Sequence, residues 1–106
     1  MRQEHNKLVR DRIPEIIGKS GIEYQVVTLS EIEYRQALRQ KLIEESQEAA
    51  AANNHDLVVE IADLLEVVDA LLKSYGISYN QVRLEQDKKR ASKGDFDNKT
   101  MLLWTE

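Results

Sequence analysis

Between residues 57 and 72 the chain reads Leu57-Val58-Val59-Glu60-Ile61-Ala62-Asp63-Leu64-Leu65-Glu66-Val67-Val68-Asp69-Ala70-Leu71-Leu72. At about 100° per residue, Leu57, Val58, Ile61, Leu64, Leu65, Val68, Leu71 and Leu72 fill one continuous arc of roughly 140°. This predicts an amphipathic helix from about residue 55 to Tyr75, with Gly76 as its left-handed C-terminal cap. A second apolar seam, Leu38, Leu42 and Ala49, predicts a helix over residues 30–53, roughly 35 Å long. Ser30 and Glu33 form a capping box at its start, and Asn53-Asn54 ends it. A third long helix is expected from Ser78 to about Ser92, opened by Ser78 and Gln81 and stopped at Gly94. A short helix is expected over residues 12–18, with Asp11 as its cap and Pro14 in the first turn. Residues 22–29 and 99–105, rich in β-branched and aromatic side chains, are expected as strands lying side by side. Long helices joined by short loops argue for a mainly all-α fold, an antiparallel helical bundle with a small β accessory built from the N- and C-terminal segments.

Charge changes this picture. Between Lys41 and Lys73 lie eight acidic residues and no Lys or Arg. A solvated helix face usually interleaves both signs, because like charges one turn apart destabilise. Glu44 and Glu48 share an arc with Lys41, Glu45 lies at its edge, and the arc adjoins the seam of Leu38, Leu42 and Ala49. On the second helix Glu60 borders the apolar arc and Asp63 lies just beyond. Packing the two seams together brings four or five carboxylates to a buried interface, where unpaired charges are costly. A bound cation is the simplest compensation, and hard oxygen donors suit Mg²⁺ or Mn²⁺. The bland alternative is a charged face that holds no metal.

The remaining composition sets bounds. At 106 residues and 42% hydrophobic content, one globular domain is expected, residues 1–106, of a size that often gains core by dimerising. The absence of cysteine excludes disulfides and thiolate metal sites. No apolar run approaches the roughly 20 residues of a membrane span, and no signal-peptide pattern opens the chain. A cytoplasmic protein without membrane association is therefore expected. Outside the acidic block, 15 basic residues face 11 acidic ones, an arrangement that suits phosphate contacts flanking a metal site. No basic stripe with interleaved aromatics points to a nucleic-acid polymer. Neither a glycine-rich phosphate loop nor a Cys/His nucleophile arrangement is found.

Glu44-Glu45-Ser46-Gln47-Glu48 followed by Glu60-Ile61-Ala62-Asp63 is an EExxE…ExxD pattern on consecutive helices. It resembles the all-α nucleoside triphosphate pyrophosphohydrolases, the superfamily of MazG, dimeric dUTPases and phosphoribosyl-ATP pyrophosphohydrolase. The opening Asn6-Lys7-Leu8-Val9-Arg10-Asp11-Arg12-Ile13-Pro14 is similar to the start of a stand-alone phosphoribosyl-ATP pyrophosphohydrolase-like branch. Lys93-Gly94-Asp95-Phe96 is similar to that branch's Arg-Gly-Gly-Phe, with Asp95 in place of the second Gly, and His5 replaces an aromatic residue. The resemblance implies a helical core usually completed by a second subunit and a Mg²⁺-dependent cleavage of a nucleotide between the α- and β-phosphates. It implies Glu45, Glu48, Glu60 and Asp63 as metal ligands, with Glu45 serving catalysis in that way. Glu44 would hold a second ion or act as base, and both roles stay open. By the same resemblance Lys7, Arg10 and Arg12 lie near the nucleotide, unless Asp11 and Glu15 pair with them.

Lys41 is a candidate phosphate contact or an i,i+4 partner of Glu45. Lys88, Lys89, Arg90 and Lys93 are candidates for reaching a triphosphate or complements of their helix dipole. Phe96 and Trp104 are core or dimer contacts before they are base-stacking platforms, and His55 is expected to be exposed. After ExxD this chain continues Leu64-Leu65-Glu66, where the histidine-biosynthetic phosphoribosyl-ATP enzymes typically have Leu-Leu-Tyr-His. The departure favours a house-cleaning nucleotide pyrophosphohydrolase over the biosynthetic one. The alternative from another class is a non-catalytic helical dimerisation or regulatory module that keeps the fold.

Overall fold

A computed structural model describes residues 2–106. Among them the chain forms four helices: α1 (Ile13–Lys19), α2 (Glu31–Ala51), α3 (Leu57–Tyr75) and α4 (Tyr79–Lys93). No strand occurs among the described residues, so the fold is all-α. Two compact units divide the chain, the first ending at Tyr75 and the second beginning at Gly76.

Helix boundaries follow local chemistry. Ser30 Oγ accepts from the Glu33 amide at 3.2 Å, and Glu33 accepts from the Ser30 amide at 3.1 Å. Ser78 and Gln81 repeat this reciprocal pair at 3.2 and 2.7 Å. Each pair satisfies two of the orphan amides of a helix start. Gly76 and Gly94 adopt φ of 67° and 85°, the left-handed region that a Cβ disfavours. Between α2 and α3, the Asn53 side chain accepts from the Asp56 amide at 3.0 Å, a local turn that competes with continued helix. Asp11, expected to cap α1, does not. The N-cap is Arg12, without a side-chain cap bond. Residues 10–13 already turn, the Ile13 amide donating to the Arg10 carbonyl at 3.0 Å, so the backbone fills the capping role.

Residues 22–29 and 99–105, expected as strands, are irregular. Ile22, Tyr24, Val26 and Val27 are 51–78% exposed, and Met101 to Trp104 are 71–81% exposed. β-propensity expresses packing on a half-buried pleated surface rather than a backbone preference. Side chains left open lack that support.

In the first unit α2 and α3 pack as an antiparallel hairpin. The start of α2 meets the end of α3 through Arg35. Its Nε donates to Ser74 Oγ at 2.9 Å and its Nη2 to the Ser74 carbonyl oxygen. Its guanidinium also lies 4.4 Å from the Tyr75 ring centroid. Arg39 donates to the Tyr75 hydroxyl at 3.0 Å. Arg35 thus satisfies an orphan carbonyl of the last α3 turn and places positive charge at its negative pole. Toward the other end, α2 carries Leu38, Glu45 and Ala49, the buried residues of the helix. Leu64, Val67, Val68, Leu71 and Leu72 of α3 are half-buried, whereas Leu57, Val58, Val59 and Leu65 are exposed. The apolar arc of α3 is therefore wider than α2 covers.

In the second unit α4 is exposed along its length. Phe96, expected in a core or dimer contact, is 97% exposed and Trp104 71%, so neither is a core residue of its own unit. No helix among the described residues is long and apolar enough to cross a membrane.

Replacing Arg35 by Ala is expected to lower the unfolding free energy by about 2 kcal/mol in urea denaturation, the scale of charge-assisted hydrogen bonds. Arg35→Lys, which lacks the planar fork and the guanidinium face held over Tyr75, is expected to recover less than half. Wild-type stability in the Ala variant would remove the staple from this account.

Candidate metal centre

Leu38, Glu45 and Ala49 follow a spacing of seven and four residues, so Glu45 occupies a core position of α2. It is 8% exposed and is the buried charged residue among those described. Opposite it, α3 presents Glu60 and Asp63, one turn apart and both half-buried. One carboxylate oxygen each from Glu45, Glu60 and Asp63 lie within 4.8 Å of one another. Glu48, one turn after Glu45, adjoins both Glu45 and Glu60. Thus three of the carboxylates that the sequence singles out on two helices come together, with Glu48 exposed beside them.

The electrostatics of the cluster are unfavourable as it stands. Glu45 Oε2 and Glu60 Oε2 are buried and have no hydrogen-bond partner. Desolvation raises the pKa of Glu45, the Glu48 charge adds to this, and Lys41 opposes it. Desolvation and then the charges of Glu48 and Asp63 raise that of Glu60, with Asp56 contributing further. Buried oxygens without partners are rare because each forfeits its hydration. Two of them, on carboxylates of one three-carboxylate cluster, fit a small oxygen-seeking cation and nothing softer.

Basic side chains surround the cluster. Lys41 Nζ lies 3.6 Å from Glu45 Oε1 and 3.8 Å from Glu44 Oε2, which is the ion-pair role. From the N-terminal segment Lys7 Nζ reaches Glu44 at 4.0 Å. Arg10 Nη2 bonds Asp63 Oδ1 at 2.7 Å, and its Nη1 lies 3.9 Å from Glu66. Asn6, with φ of 49°, sits in the left-handed region that asparagine tolerates and turns the chain just before Lys7. A groove of about 300 Å³, lined by Lys7, Glu44, Gln47, Glu48 and Ala51, opens beside the carboxylates. A smaller one of about 110 Å³ runs past Asn6, Leu8, Gln40 and Lys41.

Other expected site residues make local pairs within their own segments. Arg12 pairs with Glu15 at 3.5 Å rather than with the carboxylates of α2 and α3. Lys88 and Arg90 pair with Glu85 at 3.5 Å and Asp87 at 3.9 Å within α4, and Lys93 closes that helix. All three belong to the second unit. His55 and His5 are exposed. Sequence reasoning missed Glu66 and Asp56 as members of the electrostatic set. Their positions three residues after Asp63 and four before Glu60 were the available signal.

No family model matches the chain, and no solved structure matches it. It is similar to an uncharacterized protein of Mycolicibacterium smegmatis, 50% identical over 54 residues, 51% of this chain and 55% of that protein. The match thus spans little more than half of that relative's length.

The raised pKa values have a definite sign in stability. With Glu45 and Glu60 raised, the folded chain holds more protons than the unfolded chain between the ordinary carboxylate range and the raised values. Stability from these two groups is therefore greatest in acid and falls as pH rises through that window. In metal-free buffer Glu45→Gln is expected to melt above wild type at neutral pH, the gap closing as pH falls below the ordinary carboxylate range. A melting temperature below wild type at neutral pH would contradict the strained cluster.

Proposed function

We propose that this chain is a Mg²⁺-dependent nucleotide pyrophosphohydrolase, with Mn²⁺ as a substitute ion, that cleaves the α–β phosphoanhydride of a nucleoside triphosphate or related nucleotide. The observation that carries the reading is the pair of buried, partnerless oxygens of Glu45 and Glu60 beside Asp63. The resemblance of EExxE…ExxD and the Asn6–Pro14 opening to the all-α, MazG-like pyrophosphohydrolases supplies the reaction class, and the α2–α3 hairpin is compatible with that bundle type.

In this reading Glu45, Glu48, Glu60 and Asp63 hold the ion, offering only hard oxygen donors. When bound, the ion offsets charge on the phosphate oxygens and acidifies a water for attack at phosphorus. Glu44, half-buried and lining the groove, is the candidate to accept the water's proton or to hold a second ion. Lys41 and Lys7, held only at 3.6–4.0 Å from carboxylates, are candidates to meet phosphate oxygens as compact charges. Arg10 is the third candidate for that contact. Lys88, Arg90 and Lys93 carry no step in this reading.

A second copy of the chain belongs to the proposal. Two apolar residues, Leu38 and Ala49, are buried among the described residues, while large apolar side chains of α3 and the C-terminal segment stay open. So little core leaves a chain of this length marginal on its own, and self-association as a homodimer is the simplest cover. A house-cleaning role in the cytoplasm, on non-standard or surplus nucleotides, is favoured by Leu64-Leu65-Glu66 after Asp63.

Pyrophosphate release from a panel of nucleoside triphosphates and phosphoribosyl-ATP tests the reading. Turnover is expected to require Mg²⁺ and to fall by about 10²–10³-fold in Glu48→Ala and Asp63→Ala, the scale of losing one preorganised electrostatic contact. Both variants should retain wild-type helicity. Phosphoribosyl-ATP as the preferred substrate would move the protein to the biosynthetic reaction. Turnover indifferent to metal or to both carboxylates would overturn the assignment, and a folded dimer silent across the panel would point to the non-catalytic module.

A further inference from the structure

The segment 6–10 lies across the carboxylate cluster and ties both helices to itself. Lys7 reaches α2 at Glu44 and Arg10 reaches α3 at Asp63 and Glu66. Leu8, half-buried between them, lines the smaller groove with Asn6 and Lys7. The shortest ion pair of the cluster, 2.7 Å, joins Arg10 to Asp63, which also offers an oxygen to the Glu45–Glu60 triad. The Asp63 carboxylate therefore serves both this segment and the triad. Its guanidinium bond keeps it on the N-terminal segment, and the triad needs it as the third oxygen donor.

From this geometry we infer that the segment 6–10 is a cationic strap, with Arg10 the resident counter-ion of Asp63 that a divalent cation displaces. The inference rests on the metal reading proposed above. A doubly charged ion among Glu45, Glu60 and Asp63 offsets their mutual repulsion more fully than a half-exposed guanidinium at one edge. It also repels that guanidinium at short range. Loading the centre thus loosens the Arg10–Asp63 bond and frees Arg10, together with Lys7 on the same strap, for an anionic ligand in the groove beside Glu44. Metal and strap compete for one carboxylate, so ion occupancy and strap order move in opposite directions.

The opposite arrangement, in which Arg10 steadies Asp63 as a ligand, predicts the opposite sign, because removing an outer support typically weakens metal binding by about 10–100-fold. The deciding experiment is calorimetric titration of Mn²⁺ into metal-free wild type, Arg10→Gln and Arg10→Lys at one ionic strength. It is paired with amide hydrogen exchange across residues 6–10 of the wild type. Competition predicts that Arg10→Gln binds Mn²⁺ about three- to tenfold tighter. Arg10→Lys, which keeps the charge, gains less than Arg10→Gln, and exchange in the strap rises at Mn²⁺ saturation. Weaker or unchanged binding by Arg10→Gln overturns the strap while leaving the metal centre intact. Unchanged exchange at saturation overturns it as well, and needs no variant to fold. Wild type that binds no Mn²⁺, like Glu45→Gln, sinks the metal reading itself and the strap with it.

Discussion

A carboxylate at a core position sets the terms for the first unit. Glu45 stands in the buried stripe of α2 where Leu38 and Ala49 mark the positions that face α3. An apolar residue there would lengthen the hydrophobic seam. Instead its Oε2 is sealed from water without a partner, as is Glu60 Oε2 across the interface. Packing α2 against α3 brings these groups together in one cluster. Lys41 and Arg10 soften the repulsion from its edges, at 3.6 Å from Glu45 and 2.7 Å from Asp63. Neither reaches both orphaned oxygens, so the strain persists in the pKa values of Glu45 and Glu60.

The two ends of the hairpin divide the work between them. Near Tyr75 the contacts are complete: Arg35 bonds Ser74, stacks on Tyr75 and lies 3.5 Å from Glu31. Fully satisfied polar contacts of this kind fix the helix register. Toward the loop the polar groups are incomplete, and incompleteness is what leaves room for chemistry. A register held at one end thereby positions a cluster that repels itself at the other. The open apolar face of α3 adds a second incompleteness, of area rather than charge, and the proposed second copy answers it.

Much of the helical framework was legible because its signals are local. Ser30 with Glu33, Ser78 with Gln81, and Gly76 each act within one turn, so neighbours in sequence suffice to place them. The carboxylate cluster was legible for a related reason. Helical periodicity puts Glu45 and Glu60 on the faces that the apolar seams force together. The strands over 22–29 and 99–105 were not, because a strand needs a partner and side chains alone do not supply one. Nor was the Arg35 clamp, which depends on the register between two helices, or the reach of Arg10 to a residue 53 positions away. A core position for Phe96 and Trp104 within their own unit is likewise not found. Large aromatics suggest a core, but whether one forms is decided by what packs against them.

The central claim is that the Glu45–Glu60–Asp63 cluster is built around a divalent cation. Thermal melting of the wild-type chain in Mg²⁺ or Mn²⁺, against NaCl of equal ionic strength, addresses it most directly. An ion that binds only the folded state raises the midpoint when its concentration exceeds its dissociation constant. A cation held by the cluster predicts a rise in both ions that disappears in Glu45→Gln with Glu60→Gln. Midpoints in Mg²⁺ and Mn²⁺ equal to that in NaCl would contradict it.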